Sequence, residues 1–205
     1  MDISSLAQEY LKGLKIDNKI QQFPEASKYF IGLIGSYGVG KSTIAKMLSE
    51  KLGFLVISSD DCRRMLDKKG MSPKKIDDNK IIFLIGVKVI EELMKRNLSI
   101  ILDADLIEPT FRETIGKKVG ENGYSFLLIN IISDKEITEK RINGRLRNET
   151  SDYLKKNMKK HFAERQNIHS VNKLPEDIFY TFDTSKDLDF QIKTFLRNFP
   201  SSKKN

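Results

Sequence analysis

Short apolar runs alternate with longer stretches of helical periodicity along this chain. The runs lie at 29–34 (YFIGLI), 54–57 (FLVI), 98–102 (LSIIL), 125–132 (SFLLINII) and 178–182 (IFYTF). Each is of strand length, rich in β-branched or aromatic residues, and largely continuous in its apolarity, as expected of parallel strands covered on both faces. Between them, helical spacing predicts helices over 41–51, 73–96, 109–121 and from about residue 134. Pro73 and Pro109 suit a first helical turn. This alternation predicts a three-layer α/β/α fold around a five-stranded parallel sheet. Ahead of the first strand, Ile3, Leu6, Ala7, Tyr10, Leu11 and Leu14 recur at helical intervals, so 3–14 reads as an amphipathic helix laid on the domain. The stripe Ile82, Phe83, Ile85, Val89, Ile90, Leu93 and Met94 reads as the core face of the long helix.

At 205 residues, 39% hydrophobic and 31% charged, the chain has enough apolar surface for one domain with a real core and is no disordered polyelectrolyte. The division expected is a helical extension over 1–28, a single domain over 29–199 and a flexible tail over 200–205. No apolar run approaches the roughly 18 residues of a membrane span, and the first residues lack a basic-then-apolar layout, so a cytoplasmic protein is expected. A single cysteine, Cys62, excludes an internal disulfide and a cysteine-based zinc cluster, and packing is its expected role. His161 and His169 stand in no HExxH spacing, which disfavours a zinc hydrolase. The net charge of +8 asks for an anionic partner: nucleic acid, membrane or phosphate.

One stretch narrows that choice. Gly35-Ser36-Tyr37-Gly38-Val39-Gly40-Lys41-Ser42-Thr43 fits GxxxxGK[ST] and falls between a predicted strand and a predicted helix, where a phosphate-binding loop must lie. Its glycines let consecutive backbone N–H groups face a phosphate, and the helix that follows adds its positive end. Lys41 is expected at the β- and γ-phosphates, the Ser42 hydroxyl on Mg²⁺, and Thr43 near the α-phosphate or packed locally. There is no NKxD to read guanine, since residues 172–175 spell NKLP, and no LSGGQ-like string. What remains is the small kinases. Asp60 and Asp61 follow the second predicted strand, on the sheet edge that carries the loop, where a carboxylate can accept the proton of an acceptor hydroxyl. Arg63, about one helical turn on, can orient the acceptor or the moving phosphoryl group.

GSYGVGKST, then SSDDCRR at 58–64, ILDADL at 101–106, Pro109-Thr-Phe-Arg112 and Arg141-x-x-x-Arg145 together resemble the P-loop kinases grouped around polynucleotide kinase, zeta toxin, chloramphenicol phosphotransferase and gluconate kinase. The resemblance covers about residues 29 to 190 and implies the P-loop kinase fold with a helical lid, near 140–165. It implies Asp60 as general base, with Asp61 its rival or a helix cap, and Arg63 on the acceptor side. Asp103, which ends the third strand, is implied at the metal, with Asp105 the alternative. Arg141 and Arg145 are implied as lid arginines, Arg145 reaching the nucleotide, and the loop at Asp183-Thr184-Ser185 as lining the adenine pocket. Arg112 matches an arginine of the next helix.

Between Lys140 and Lys173 ten positive residues stand against three negative ones, which is seven of the eight excess charges. ATP phosphate under a closing lid explains that concentration first. Lys155, Lys156, Lys159 and Lys160 read as a solvated face, with Tyr153 and Phe162 on its apolar side. The expectation is an ATP- and Mg²⁺-dependent kinase acting on a hydroxyl of a small metabolite or nucleotide-type acceptor. The alternatives are a 5′-hydroxyl kinase of RNA or DNA, and a nucleotide-binding regulatory module without transfer. Oligomeric state is open, and no membrane partner is expected.

Overall fold

The computed structural model describes residues 2–14, 28–71, 78–148, 168–169 and 171–200; Leu146, Asn148 and the side chains of Asp78 and Asn79 are left undescribed. The basic lysines and aromatics at 153–162 and the predicted start of the long helix at Pro73 lie outside the described residues.

The five predicted strands are present: β1 (Tyr29–Ile34), β2 (Leu55–Ser58), β3 (Ile100–Asp103), β4 (Ser125–Ile132) and β5 (Ile178–Asp183). They form one parallel sheet in the order β2-β3-β1-β4-β5. After β1 the chain builds β2 and β3 on one side and then crosses to β4 and β5 on the other. All five C-terminal ends therefore lie on one edge, and the order reverses at β1, the position where such sheets hold ligands. The helices are α1 (Ile3–Gly13), α2 (Lys41–Leu52), α3 (Ser59–Lys68), α4 (Asp78–Lys95), α5 (Pro109–Glu121), α6 (Lys135–Asn148) and α7 (Leu188–Asn198). Neither α3 nor α7 was foreseen as a full helix. The charged sequence SDDCRRMLDK of α3 hides a narrow apolar stripe, of which Cys62 and Leu66 are buried, and α7 buries Ile192 and Phe195.

Alternate residues of the buried strands feed two cores. Phe30 and Ile34 face one side with Ile57, Ile100 and Leu102, under α1, α4 and α5. Tyr29, Ile31 and Leu33 face the other, with Ile101, Ile129 and Ile131, under α2 and α7. This is why the runs look uniformly apolar in sequence: both faces are covered.

The N-terminal helix is joined to the sheet edge by a side chain as well as by packing. Asp2 caps α1 by accepting from Ser5 N at 2.7 Å, and Leu6, Ala7, Tyr10 and Leu11 are buried. The Tyr10 hydroxyl accepts from Ser58 N at 2.9 Å and donates to Ser58 O at 3.1 Å, and burial raises it above the usual phenol range. It thus closes off the last residue of β2, just before Asp60. Tyr10→Phe should lower stability by about 1–3 kcal/mol, because the Ser58 backbone groups lose their partner. Urea denaturation checks this, with the midpoint falling and the slope unchanged.

Candidate active site

Residues 35–40 leave the end of β1 and turn into α2 with glycine at every position where the backbone bends most, 35, 38 and 40. At Gly40, the N-cap of α2, φ is 103°, in the left-handed region. A Cβ on Gly35 would come within 2.5 Å of the Ile131 carbonyl oxygen of β4, so only glycine lets the loop pass there. The Lys41 ammonium folds back over the loop and donates to Gly35 O at 2.8 Å and Ser36 O at 3.1 Å. Other segments hold the loop from behind. Thr184, after β5, donates its hydroxyl proton to Val39 O at 2.5 Å, and Asp105, after β3, accepts from Gly35 N at 3.3 Å.

Arg141 and Arg145 sit four apart on α6, as their spacing predicts, yet serve different neighbours. The Arg141 guanidinium donates to Thr184 Oγ1 at 2.7 Å, Thr184 O at 3.0 Å and Val39 O at 3.4 Å, so it ties α6 to the loop and to the end of β5. Arg145 lies over the Tyr37 ring, 5.3 Å from its centroid, and pairs with the Asp60 carboxylate. Thr184, expected beside the adenine, is buried behind the loop, with its hydroxyl engaged in these bonds.

Asp60 and Asp61 separate by helix geometry. Asp60 faces the loop, paired with Arg145 and with Arg63 at 3.2 Å; Asp61 points outward, 63% exposed, to Arg64 at 2.9 Å. Burial alone would raise the Asp60 carboxyl, but Arg145 and then Arg63 outweigh it and hold it below the usual carboxylate range. Asp103 goes the other way. Burial raises its carboxyl, opposed by a hydrogen bond from Ser42 and the charge of Lys41, and the Asp60 charge adds to the rise. Neighbouring Cys62 is buried, and desolvation pushes its thiol up to about 11, so it stays protonated.

Asp103 and Asp105 are also told apart. Asp105 accepts from Gly35 N and Ile107 N, each at 3.3 Å, and lies 2.7 Å from His169 Nε2, so it is occupied with the backbone and a ring. Asp103 meets Ser42. Those two hard oxygen donors suit a divalent cation that arrives already bonded to phosphate oxygens. Among the described residues no group of three or more His, Cys, Asp or Glu is arranged to hold a metal unaided. Arg112 is spent on the β3–α5 loop, donating to Leu106 O and Ile107 O at 3.0 and 2.9 Å. His169, which the sequence places only as a surface or lid histidine, meets Asp105 from 64 positions away, a contact that no motif or periodicity announces.

These residues enclose a cleft of about 390 Å³, lined by the loop from Tyr37 to Thr43 and by Asp60, Arg63, Asp103, Arg141 and Arg145. No described helix is long and apolar enough to cross a membrane.

A family model described as an AAA domain matches residues 30–168, more than half of the chain. No curated protein matches the sequence. Among solved structures, a protein of Chloroflexus aurantiacus J-10-fl described as a kinase superposes with a TM-score of 0.64 at 15% identity, over 84% of this chain and 99% of its own. The APS kinase CysC of Mycobacterium tuberculosis, in complex with AMPPNP and APS, gives 0.58 at 16% identity, over 85% and 99%. A gluconokinase of Sinorhizobium meliloti 1021 gives 0.56 at 12% identity, over 86% and 93%. At such identities the likeness is one of fold. The chain belongs to the AAA domain family AAA_33, and its body is a P-loop kinase fold with a five-stranded parallel sheet.

Proposed function

We propose that the protein is an ATP- and Mg²⁺-dependent kinase that transfers the γ-phosphoryl group to a hydroxyl of a small-molecule acceptor. The observation that carries this reading is the convergence, in one cleft, of a phosphate loop with its lysine, a Ser42–Asp103 oxygen pair, and an ionised Asp60 held by two arginines. The kinases of similar fold support it, among them the APS kinase with its nucleotide analogue.

In this reading the loop N–H groups and Lys41 hold the β- and γ-phosphates, and Thr43 lies toward the α-phosphate. Ser42 and Asp103 would hold Mg²⁺, which when bound neutralises and orients the β- and γ-phosphate oxygens. The acceptor oxygen bonds to the γ-phosphorus while the bond to the β,γ-bridging oxygen breaks, its electron pair leaving on ADP. The hydroxyl proton passes to an Asp60 carboxylate oxygen. Held ionised by its arginines, Asp60 is always ready for that proton, though a weak base; it takes the proton as bonding to phosphorus makes the hydroxyl acidic. Arg63 orients the acceptor, and Arg145, within reach of both Tyr37 and Asp60, moves onto the transferring group as the charge there develops. Arg141 keeps α6 seated on the loop. The domain over 29–199 carries the phosphate cleft, with α1 as its extension and α6 as the described part of the lid.

The direct test is Mg²⁺ and γ-labelled ATP with a cell extract divided into small-molecule and nucleic-acid fractions. Label in the small-molecule fraction is expected. Label in RNA or DNA, with binding that weakens steeply with salt, supports the 5′-hydroxyl kinase instead, and tight ATP binding with no labelled acceptor supports a regulatory module. Asp60→Asn should leave ATP affinity intact and lower transfer by about 10²–10⁴-fold; full activity in this variant removes Asp60 from the mechanism. Lys41→Ala should weaken ATP binding roughly 10- to 100-fold, through loss of charge-assisted bonds of about 1.5–3 kcal/mol, as read by calorimetry. Arg145→Ala takes away the strongest influence that lowers the Asp60 carboxyl, so the acid limb of kcat/KM should move to higher pH. A limb that stays in place breaks the link between the two residues. The same ion pair adds stability that is present above the ordinary carboxylate range and is lost as pH falls through the depressed value.

A further inference from the structure

Beside the phosphate cleft lies a second cavity, of about 100 Å³, walled by α3, α4, α5 and the ends of β2 and β3, with Tyr10 of α1 also in its wall. The two spaces share four wall residues, Ser59, Arg63, Ala104 and Asp105, so the second adjoins the cleft next to Asp60. Its interior is hydrocarbon: Ile82 and Ile90 from α4, Leu106, and the rings of Phe83 and Phe111, stacked at 4.6 Å between centroids. Of the polar groups in its wall, the Tyr10 hydroxyl serves both backbone groups of Ser58 and the Asp105 carboxylate serves Gly35, Ile107 and His169, while Ser59 and the Arg63 guanidinium stand at the rim shared with the phosphate cleft. A polyol placed inside would bury hydroxyls without partners, which is strongly disfavoured.

Gly86 supplies an independent observation. It stands in the middle of α4, four residues from Ile82 and four from Ile90, on the row of the helix that lines the cavity. Glycine weakens a helix interior relative to alanine, and it is usually kept there because a neighbour needs the room. Here a Cβ would meet nothing within 4 Å. What the missing side chain leaves is space in the cavity.

Resting on the kinase reading above, we infer that the acceptor is an alcohol with a hydrocarbon group between isobutyl and phenyl in size, which fills this chamber and leaves its hydroxyl at the polar rim beside Asp60 and Arg63. The volume agrees, being somewhat under the roughly 150 Å³ of a dry cavity that takes up benzene. Sugar acids and nucleic-acid 5′-ends, which are hydroxylated or charged next to the reacting carbon, are the acceptors that the hydrocarbon part of this chamber disfavours.

The test compares the intact protein with Gly86→Leu, which fills the chamber, and Gly86→Ala, which adds one methyl group in open space and should fold at least as well. Saturation-transfer NMR without ATP, using benzyl alcohol, 3-methyl-1-butanol, glycerol and gluconate as probes, should give binding of the two apolar alcohols at least tenfold tighter than of the polar pair. That binding should fall at least tenfold in Gly86→Leu and by a smaller factor in Gly86→Ala, with ATP affinity and melting temperature maintained. Glycerol or gluconate binding as tightly as benzyl alcohol overturns the inference, as does apolar binding that neither variant alters. Phosphoryl transfer to gluconate or to an oligonucleotide that is indifferent to Gly86→Leu also overturns it while leaving the kinase reading in place. Failure of ATP to bind sinks the kinase reading, and with it the acceptor role of the chamber, although the NMR preference for apolar alcohols would still be measured.

Discussion

A loop that binds phosphate with its own backbone must keep its N–H groups turned toward the ligand, while its carbonyls and its position are secured by something else. In residues 35–40 that constraint is met by three segments distant in sequence. Asp105 after β3 holds the Gly35 N–H, Thr184 after β5 holds the Val39 carbonyl, and Arg141 of α6 grips both Thr184 and Val39. Lys41 covers the carbonyls of Gly35 and Ser36. Because every strand is parallel, each of these segments emerges on the same edge, and the strand order puts β3 and β4 directly beside β1. The fold serves the loop by bringing the right turns within hydrogen-bonding distance.

The same edge creates two carboxylates of opposite character a short way apart. Asp60 sits at the start of α3 between two guanidinium groups and stays charged; Asp103 ends a strand inside the sheet, where desolvation favours its neutral form unless cations are near. Two acids driven apart in this manner suit the different tasks that the proposed kinase reading gives them, proton acceptance for Asp60 and cation binding for Asp103. Arg145 links Asp60 to the loop, since it touches the Tyr37 ring on one side and Asp60 on the other. Any movement of α6 therefore alters the loop and Asp60 together.

Much of this was legible in the residues. Both-face burial makes the parallel strands nearly uniform in apolarity, so their number and rough positions could be read directly, and the glycine loop names itself through chemistry that needs a fixed spacing. The helix α3 was obscured because its charges outnumber its apolar residues, and only contact with α4 shows that Cys62 and Leu66 suffice to bury one side. The predicted lysine face at 155–160 lies outside the described residues.

The sequence by itself determined the fold class, the phosphate loop, and the set of acids and arginines near it, because periodicity and motif spacing are local properties of the chain. Only the tertiary structure decided how those residues are used: that Asp60 faces the cleft and Asp61 the solvent, that Asp103 meets Ser42 while Asp105 supports Gly35 and His169, and that Arg141 and Arg145 diverge. Adjacent residues on a helix point about 100° apart, and residues near a strand end differ in what packs above them. Identical side chains one or two positions apart thus enter different electrostatic surroundings, which no linear pattern records.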